Sequence, residues 1–485
     1  MRLLLPALLA ACGGPAEPEP GHELPRCHIE GVSAEARCGT LTVFEDREAN
    51  AGRTIDLRVV VIPAVRPDPE PDPVFFLAGG PGQAASEVIP AVLPTFQRVQ
   101  QGRDLVFVDQ RGTGASHPLD CEEDVDPSLV TQFTVEPDLE EVTTCRDTLS
   151  ADADLTRYTT PLAMDDLDDV REWLGYERIN LYGASYGTRA GLVYARRHPD
   201  RVRTLILDGN APPEMRLFLH FAEDAQAAMD ALVADCAADT EGCGAAFPDL
   251  ATELASLWAR PAEGAEGAEP VAVDHPRTGA PEVLPIEGRA LAAAMRGVLY
   301  QPQLASLLPR AVHEAAQDRW EPLIALTTSM SSGTSGSMSM GMMLSVACAE
   351  DWPRITAEDR AAAAEGTFVG DTLVETLEAW CGIWPRATLA EGYSDPVVFG
   401  GPTLLLSGTL DPVTPPRWGE RVGATLSDHV HIVAPGAGHN VAPLGCVPRM
   451  MDSFIEAGTT DGVDPACAKD IVRPGFFVDF AGPEQ

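Results

Sequence analysis

Short apolar runs closed by glycine or an acid recur along the chain and set its architecture. Residues 74–77 (Val-Phe-Phe-Leu), 105–108 (Leu-Val-Phe-Val), 179–182, 205–207 and 403–406 are apolar at nearly every position, and residues 430–433 add a further run. Runs of this length and composition predict buried strands. Residues 39–44 and 54–62 instead alternate apolar and polar side chains around an acidic turn, which predicts an antiparallel pair. Met164, Leu167, Val170 and Leu174 fall at helical spacing, so a helix is expected over residues 165–174, directly ahead of strand 179–182. Strands alternating with helices define the expected class: α/β, with a mostly parallel, doubly wound sheet.

Between residues 211 and 395 the pattern changes. This stretch is alanine-rich and helical in periodicity, broken at residues 261–270, and shows no series of buried strands. An insertion of that length inside a sheet protein is expected to be a folded unit and not a loop. Residues 327–343 are rich in Ser, Gly and Met, which predicts a mobile loop, with a pliable methionine-lined gate as the alternative. The strand pattern resumes at residue 396. The expected division is therefore residues 27–210 and 396–485 as a core and residues 211–395 as a helical unit inserted in it.

The N-terminus reads differently again. Arg2 precedes an apolar run to Ala11 that is too short to span a bilayer. Leu9-Ala10-Ala11-Cys12 resembles the lipobox of bacterial lipoproteins, which implies that residues 1–11 are a signal peptide and that Cys12 carries a lipid; an ordinary secretory signal is the alternative. Residues 12–26 are rich in proline and acid and are expected to form a flexible tether. Gly13 stands where an Asp would favour retention at the inner membrane, so an exported protein of the cell envelope is expected, at the outer membrane or cell surface.

Composition narrows the partners. The chain of 485 residues carries a formal net charge of −39, which disfavours nucleic acid and anionic membrane surfaces, leaving a lipid anchor as the expected contact with a membrane. Of its 11 cysteines, ten remain once Cys12 is set aside. They fall as close neighbours, Cys27 with Cys38, Cys121 with Cys145, Cys236 with Cys243 and Cys446 with Cys467, leaving Cys348 with Cys381. Spacing does not fix the connectivity, but the arrangement points to an oxidising compartment.

Candidate chemistry lies at the ends of the strands. Strand 179–182 runs into Gly183-Ala184-Ser185-Tyr186-Gly187, a Gly-x-Ser-x-Gly string between a strand and a helix, the pattern of a nucleophile elbow. The turn exposes the Ser185 hydroxyl and leaves the Tyr186 N–H, at the start of the next helix, facing the place where an oxyanion would form. Strand 74–77 ends in Ala78-Gly79-Gly80-Pro81-Gly82, and strand 105–108 in Asp109-Gln110-Arg111-Gly112-Thr113-Gly114-Ala115-Ser116. These three motifs, in this order, resemble α/β-hydrolases of the proline iminopeptidase and tripeptidyl aminopeptidase group. Many members have His where this chain has Ala78.

That resemblance implies an α/β-hydrolase fold with the helical cap over the active site, and the Gly80 N–H as second oxyanion donor beside that of Tyr186. Asp109 and Arg111 are expected to brace the surrounding loops as an ion pair. In the cap, Glu350 and Asp351 are expected to hold a substrate's free ammonium group, as cap carboxylates do in the resembled aminopeptidases, with a surface turn as the plain alternative. Asp411 follows strand 403–406 and His439 lies in a glycine loop beyond strand 430–433, so the chain order is Ser, Asp, His. Asp395 and Asp428 are weaker candidates for the acid, and His429 and His431 lie too early for the base. In this reading Ser185 attacks a carbonyl, His439 takes and returns the proton, and Asp411 orients the imidazole, with no metal or organic cofactor implied. The expected activity is removal of residues from the free N-terminus of peptides. A carboxylesterase with the same triad and a catalytically silent, lipid-anchored binding module are the alternatives. Substrate is then a peptide or a small ester, and the oligomeric state is left open.

Overall fold

The structure is a computed structural model that describes residues 24–121, 129–133, 138–334, 338–479 and 481–482. Its centre is a nine-stranded sheet built from β1 (Arg26–Cys27), β2 (Ala36–Phe44), β3 (Thr54–Ile62), β4 (Val74–Leu77), β5 (Leu105–Val108), β6 (Ile179–Ala184), β7 (Val202–Asp208), β10 (Thr403–Gly408) and β11 (His429–Ala434). Two further strands, β8 (Val271–Asp274) and β9 (Pro281–Leu284), form a separate hairpin. The spatial order in the large sheet is β1-β2-β3-β5-β4-β6-β7-β10-β11. From β5 to β11 neighbouring strands are parallel; β1, β2 and β3 pair antiparallel at one edge.

The apolar runs follow from burial on both faces. Along β4, Phe75 and Leu77 enter one core while Val74 and Phe76 enter the other, and β5 divides Val106 and Val108 from Leu105 and Phe107 in the same way. Side chains alternate across a strand, so a sheet covered on both faces needs apolar residues at every position. Helices Thr160–Trp173 and Tyr186–Arg197 cover the first face; Ile89–Phe96 and Val447–Ala457 cover the second.

The chain leaves β4 for β5 on one side and then returns to β6 on the other. Crevices open at such reversals, at the carboxyl ends of the strands. Leu77 is in register with Gly183, so the glycine loop after β4 lies beside the turn after β6.

Residues 211–395 hold a further apolar core, formed around helices Phe221–Ala238, Leu250–Trp258, Gly288–Val298, Leu308–Ala316 and Glu321–Thr334. Two features depart from the sequence pattern. The unit contains the β8–β9 hairpin, in which only Val271, Val273 and Leu284 are buried, too short an alternation to stand out. Residues 327–343 are not one loop: the helix beginning at Glu321 continues to Thr334 and another spans Met340–Val346, because Leu323, Ile324, Met342, Leu344 and Val346 are all buried. Residues 335–337 lie outside the described residues.

The C-terminal segment also crosses the expected division. Phe476 packs into the cap core, the Phe477 N–H donates to the Ser306 carbonyl at 3.2 Å, and Arg473 pairs with Asp235 at 2.7 Å.

Five disulfides join Cys27 to Cys38, Cys121 to Cys145, Cys236 to Cys243, Cys348 to Cys381 and Cys446 to Cys467. The proposed signal peptide, Cys12 and most of the tether lie outside the described residues. Among those described, no helix is long and apolar enough to cross a membrane.

Candidate active site

Ser185 stands between β6 and the helix Tyr186–Arg197 with φ 55° and ψ −122°, a backbone conformation that L residues seldom adopt. Its neighbours explain why the turn closes. A Cβ at Gly183 would lie 2.2 Å from the Gly187 carbonyl oxygen, and one at Gly187 would lie 2.1 Å from the Leu77 carbonyl oxygen. Neither contact is sterically possible, so both positions require glycine.

Tyr186 is the first residue of its helix, so its N–H has no acceptor within the helix. The Gly79–Gly82 loop runs alongside: a Cβ at Gly79 would meet the Ser185 Cβ at 3.4 Å. Gly80 has φ +105°, a backbone conformation that favours glycine. The Gly79–Gly82 loop and the start of the helix at Tyr186 therefore both lie against Ser185.

Asp411 follows β10 and is 1% exposed. Its Oδ1 accepts the N–H groups of Val413 and Thr414, each at 2.9 Å, and its Oδ2 accepts the Thr414 hydroxyl at 2.8 Å. The His439 Nδ1–H donates to the same Oδ2 at 2.8 Å. Burial alone would raise the Asp411 pKa; the His439 charge and hydrogen bond, with the Thr414 donors, outweigh it and hold the carboxyl below its ordinary range. For His439, burial disfavours the imidazolium, and the Asp411 charge and hydrogen bond, together with the Asp208 charge, more than compensate, so its pKa is raised.

The loop carrying His439 is held from both domains. The His439 N–H donates to the Tyr300 carbonyl at 3.0 Å, and the Tyr300 ring meets the imidazole edge-on with centroids 5.2 Å apart. Beneath it, a Cβ at Gly209 would lie 3.2 Å from His439 Cε1. Gly209 follows Asp208, whose carbonyl accepts the Ser185 N–H at 2.8 Å, so this pair of residues lies between the elbow and the imidazole. Sequence pattern does not single out Thr414, Tyr300 or Asp208; a threonine three residues after the acid was the only local signal.

Several expected roles are corrected by the structure. Glu350 is 1% and Asp351 0% exposed, and their oxygens are occupied internally. Glu350 accepts the Thr160 N–H at 2.7 Å, the Thr160 hydroxyl at 2.9 Å and the Tyr393 hydroxyl. Asp351 receives both terminal nitrogens of Arg189, at 2.9 and 3.0 Å, and the Leu217 N–H at 3.0 Å. These acids are therefore counter-ions of a buried arginine on the helix after Ser185, and neither is open to a substrate ammonium. Asp109 and Arg111 do not pair with each other. Asp109 accepts from Ser86 and Ala115, while Arg111 binds Asp166 at 2.6 and 2.8 Å and the Glu45 and Arg157 carbonyls.

The remaining acids and histidines are engaged elsewhere. Asp428 accepts from Thr460, and the Asp395 carbonyl accepts from Arg196. His429 meets the Leu426 carbonyl, and His431 meets the Ser407 hydroxyl at 2.9 Å, its pKa lowered to about 4 chiefly by burial.

Residues 72–257 match the family model for the alpha/beta hydrolase fold, and residues 366–467 match the model for TAP-like proteins. The chain is 28% identical over 477 residues to Serine protease Hip1 of Mycobacterium tuberculosis, covering 90% of this chain and 88% of that protein. It is 32% identical over 143 residues to Proline iminopeptidase of Neisseria gonorrhoeae, covering 29% of this chain and 34% of that one. Over 197 residues it is 29% identical to Tripeptidyl aminopeptidase of Streptomyces coelicolor, covering 36% of this chain and 35% of that one. The chain has the α/β-hydrolase fold, and the relatives it resembles are named as a serine protease, a proline iminopeptidase and a tripeptidyl aminopeptidase.

Proposed function

We propose that this protein is a serine exopeptidase that removes residues from the free N-terminus of peptides through an acyl-enzyme on Ser185. The observation that carries the reading is the 2.8 Å bond from His439 Nδ1 to Asp411 Oδ2, joined through the Asp208–Gly209 turn to the strained elbow at Ser185. Holding Nδ1 protonated leaves Nε2 as the base for the Ser185 hydroxyl, and the same atom returns the proton to the leaving amine. The N–H groups of Gly80 and Tyr186 stabilise the tetrahedral oxyanion; one such donor contributes about 2.7–4 kcal/mol to lowering the barrier. Water then hydrolyses the acyl-enzyme. Preference for the amino end rests on likeness to relatives named as iminopeptidase and aminopeptidase.

A carboxylesterase is the second reading, and one observation favours it: the two cap acids expected to hold an ammonium are occupied by Arg189 and its neighbours. One experiment separates the two. Wild type and Ser185→Ala are assayed on aminoacyl and tripeptidyl anilides, with the amine free or acetylated, and on simple acyl esters. Cleavage confined to free-amine anilides and abolished by Ser185→Ala is the expected result. Equal turnover of acetylated substrates, or of esters alone, would establish an esterase, and no turnover of any would favour the binding module.

We also propose export to the cell envelope with a lipid on Cys12. Five disulfides support an oxidising compartment. Loss of membrane association in Cys12→Ser is the expected outcome.

A further inference from the structure

Asp208 ends β7, is 0% exposed, and touches both halves of the candidate site. Its carbonyl accepts the Ser185 N–H at 2.8 Å. Its carboxylate reaches the other way: Oδ1 accepts the Val441 N–H at 2.7 Å, and Oδ2 accepts the Ala442 N–H at 2.9 Å and the Tyr182 hydroxyl at 2.9 Å. Val441 and Ala442 are the second and third residues after His439, beyond Asn440 with its φ of 73°. Tyr182 lies on β6, three residues before Ser185. Two backbone N–H groups can only donate, so the side chain that serves them is an acceptor at both oxygens, which suits the ionised form. Among the described residues no lysine or arginine pairs with it. Burying a carboxylate with no cationic partner is costly and pushes its pKa above the ordinary range; the Val441 and Ala442 N–H groups and the Tyr182 hydroxyl counter that cost in part.

We propose that Asp208 is a positioning residue for the reaction, fixing the His439 loop against the Ser185 elbow and lending its negative charge to the imidazolium that forms when His439 takes the serine proton. The inference rests on the triad reading above. Its physical basis is preorganisation: a base displaced by a fraction of an ångström loses alignment with the hydroxyl, and a loop held by two N–H bonds to a carboxylate that Tyr182 of β6 also fixes does not drift. The charged or titratable groups facing His439 are Asp411 from the acid loop, Asp208 from β7, and Arg296 with Tyr300 from the cap. Arg296 opposes the imidazolium, while both carboxylates favour it.

The test uses Asp208→Asn, which keeps the shape, removes the charge and retains one acceptor oxygen. Covalent labelling of Ser185 by a fluorophosphonate gives the concentration of competent sites, so that rates are per folded active site. The expected result is a fall of up to about 100-fold in labelling rate and kcat, the cost of misplacing a catalytic group by about 1 Å. KM should stay within about twofold, since Asp208 has no contact with substrate. The acid limb of the kcat/KM profile moves to lower pH, because a charge that favours the imidazolium is gone. Tyr182→Phe removes one donor, keeps the charge, and is expected to slow labelling by about threefold. Wild-type rates per labelled site in both variants, or an unmoved acid limb in Asp208→Asn, would overturn the proposal. Should Asp208→Asn not fold, a wild-type labelling rate in Tyr182→Phe overturns it alone. Failure of wild type to label at Ser185 would instead overturn the triad reading, and the positioning role with it.

Discussion

At the scale of single residues, catalytic competence in the proposed mechanism depends on the His439 proton. The base works only as neutral imidazole, and its pKa is raised above the ordinary 6.5 because the two neighbouring carboxylates outweigh burial. Activity should therefore fall as pH drops through a value above 6.5, and the acid limb of kcat/KM reports that ionisation in the free enzyme. A profile flat down to about pH 4 would exclude an imidazole base. The stability linkage has the opposite sense. A raised folded pKa stabilises the protonated folded state, so this contribution is complete below the unfolded pKa and is lost as pH rises through the folded one. Optimal activity and the maximum of this single contribution consequently fall on opposite sides of the same titration.

At the scale of elements, the helix Tyr186–Arg197 is tied to the cap by charge buried on both sides. Arg189, Glu350 and Asp351 all have 0% side-chain exposure, and Arg189 lies 2.9 Å from Asp351 and 3.5 Å from Glu350. The Tyr186 hydroxyl meets the Thr160 hydroxyl, which in turn reaches Glu350, so the residue whose N–H is proposed as an oxyanion donor belongs to the same network. Removing this cation takes from Glu350 its ion-pair partner and leaves Asp351 with Arg354 alone, at 3.2 Å. Arg189→Met is expected to destabilise the fold by about 3–5 kcal/mol, read from the urea midpoint. Asp351→Asn should also lower stability while leaving the ratio of free-amine to acetylated anilide turnover unchanged. A selective loss of free-amine substrates in that variant would restore an ammonium-binding role to the cap acids. Nothing in the local sequence separates these alternatives, because Glu-Asp beside Trp352 reads the same whether its partner is a substrate or an arginine 162 positions away.

At the scale of the molecule, disulfides and the cap share the work of holding the site. Cys348–Cys381 closes a separation of 33 residues and joins the segment Ala347–Asp351, which carries Glu350 and Asp351, to the helix Thr372–Ile383. Replacing both cysteines by alanine is expected to cost about 2–4 kcal/mol in equilibrium unfolding, and mild reduction of the native protein should lower the thermal midpoint in the same direction. The cap is more than a cover, since the Tyr300 carbonyl binds the His439 N–H and the C-terminal segment returns to the cap core.

Much of this architecture was legible in the chain. β3, β4, β5 and β10 coincide with apolar or alternating runs, because a strand's burial is written in its own residues. The elbow is equally local: two glycines, a serine, and a strand before a helix. Other features depend on partners distant in sequence. The short hairpin β8–β9 and the helices hidden in a Ser- and Met-rich stretch have little periodicity, and packing against the cap core selects them. The sequence by itself determined the strand order of motifs and the chain order Ser185, Asp411, His439. Only the tertiary structure decided that Arg111 binds Asp166 and not Asp109, that Glu350 and Asp351 face Arg189, and that Asp208 joins two loops. A buried charge or hydrogen-bonding group is satisfied by whichever partner the fold brings to it, and that choice is set by three-dimensional proximity, which residue spacing does not encode.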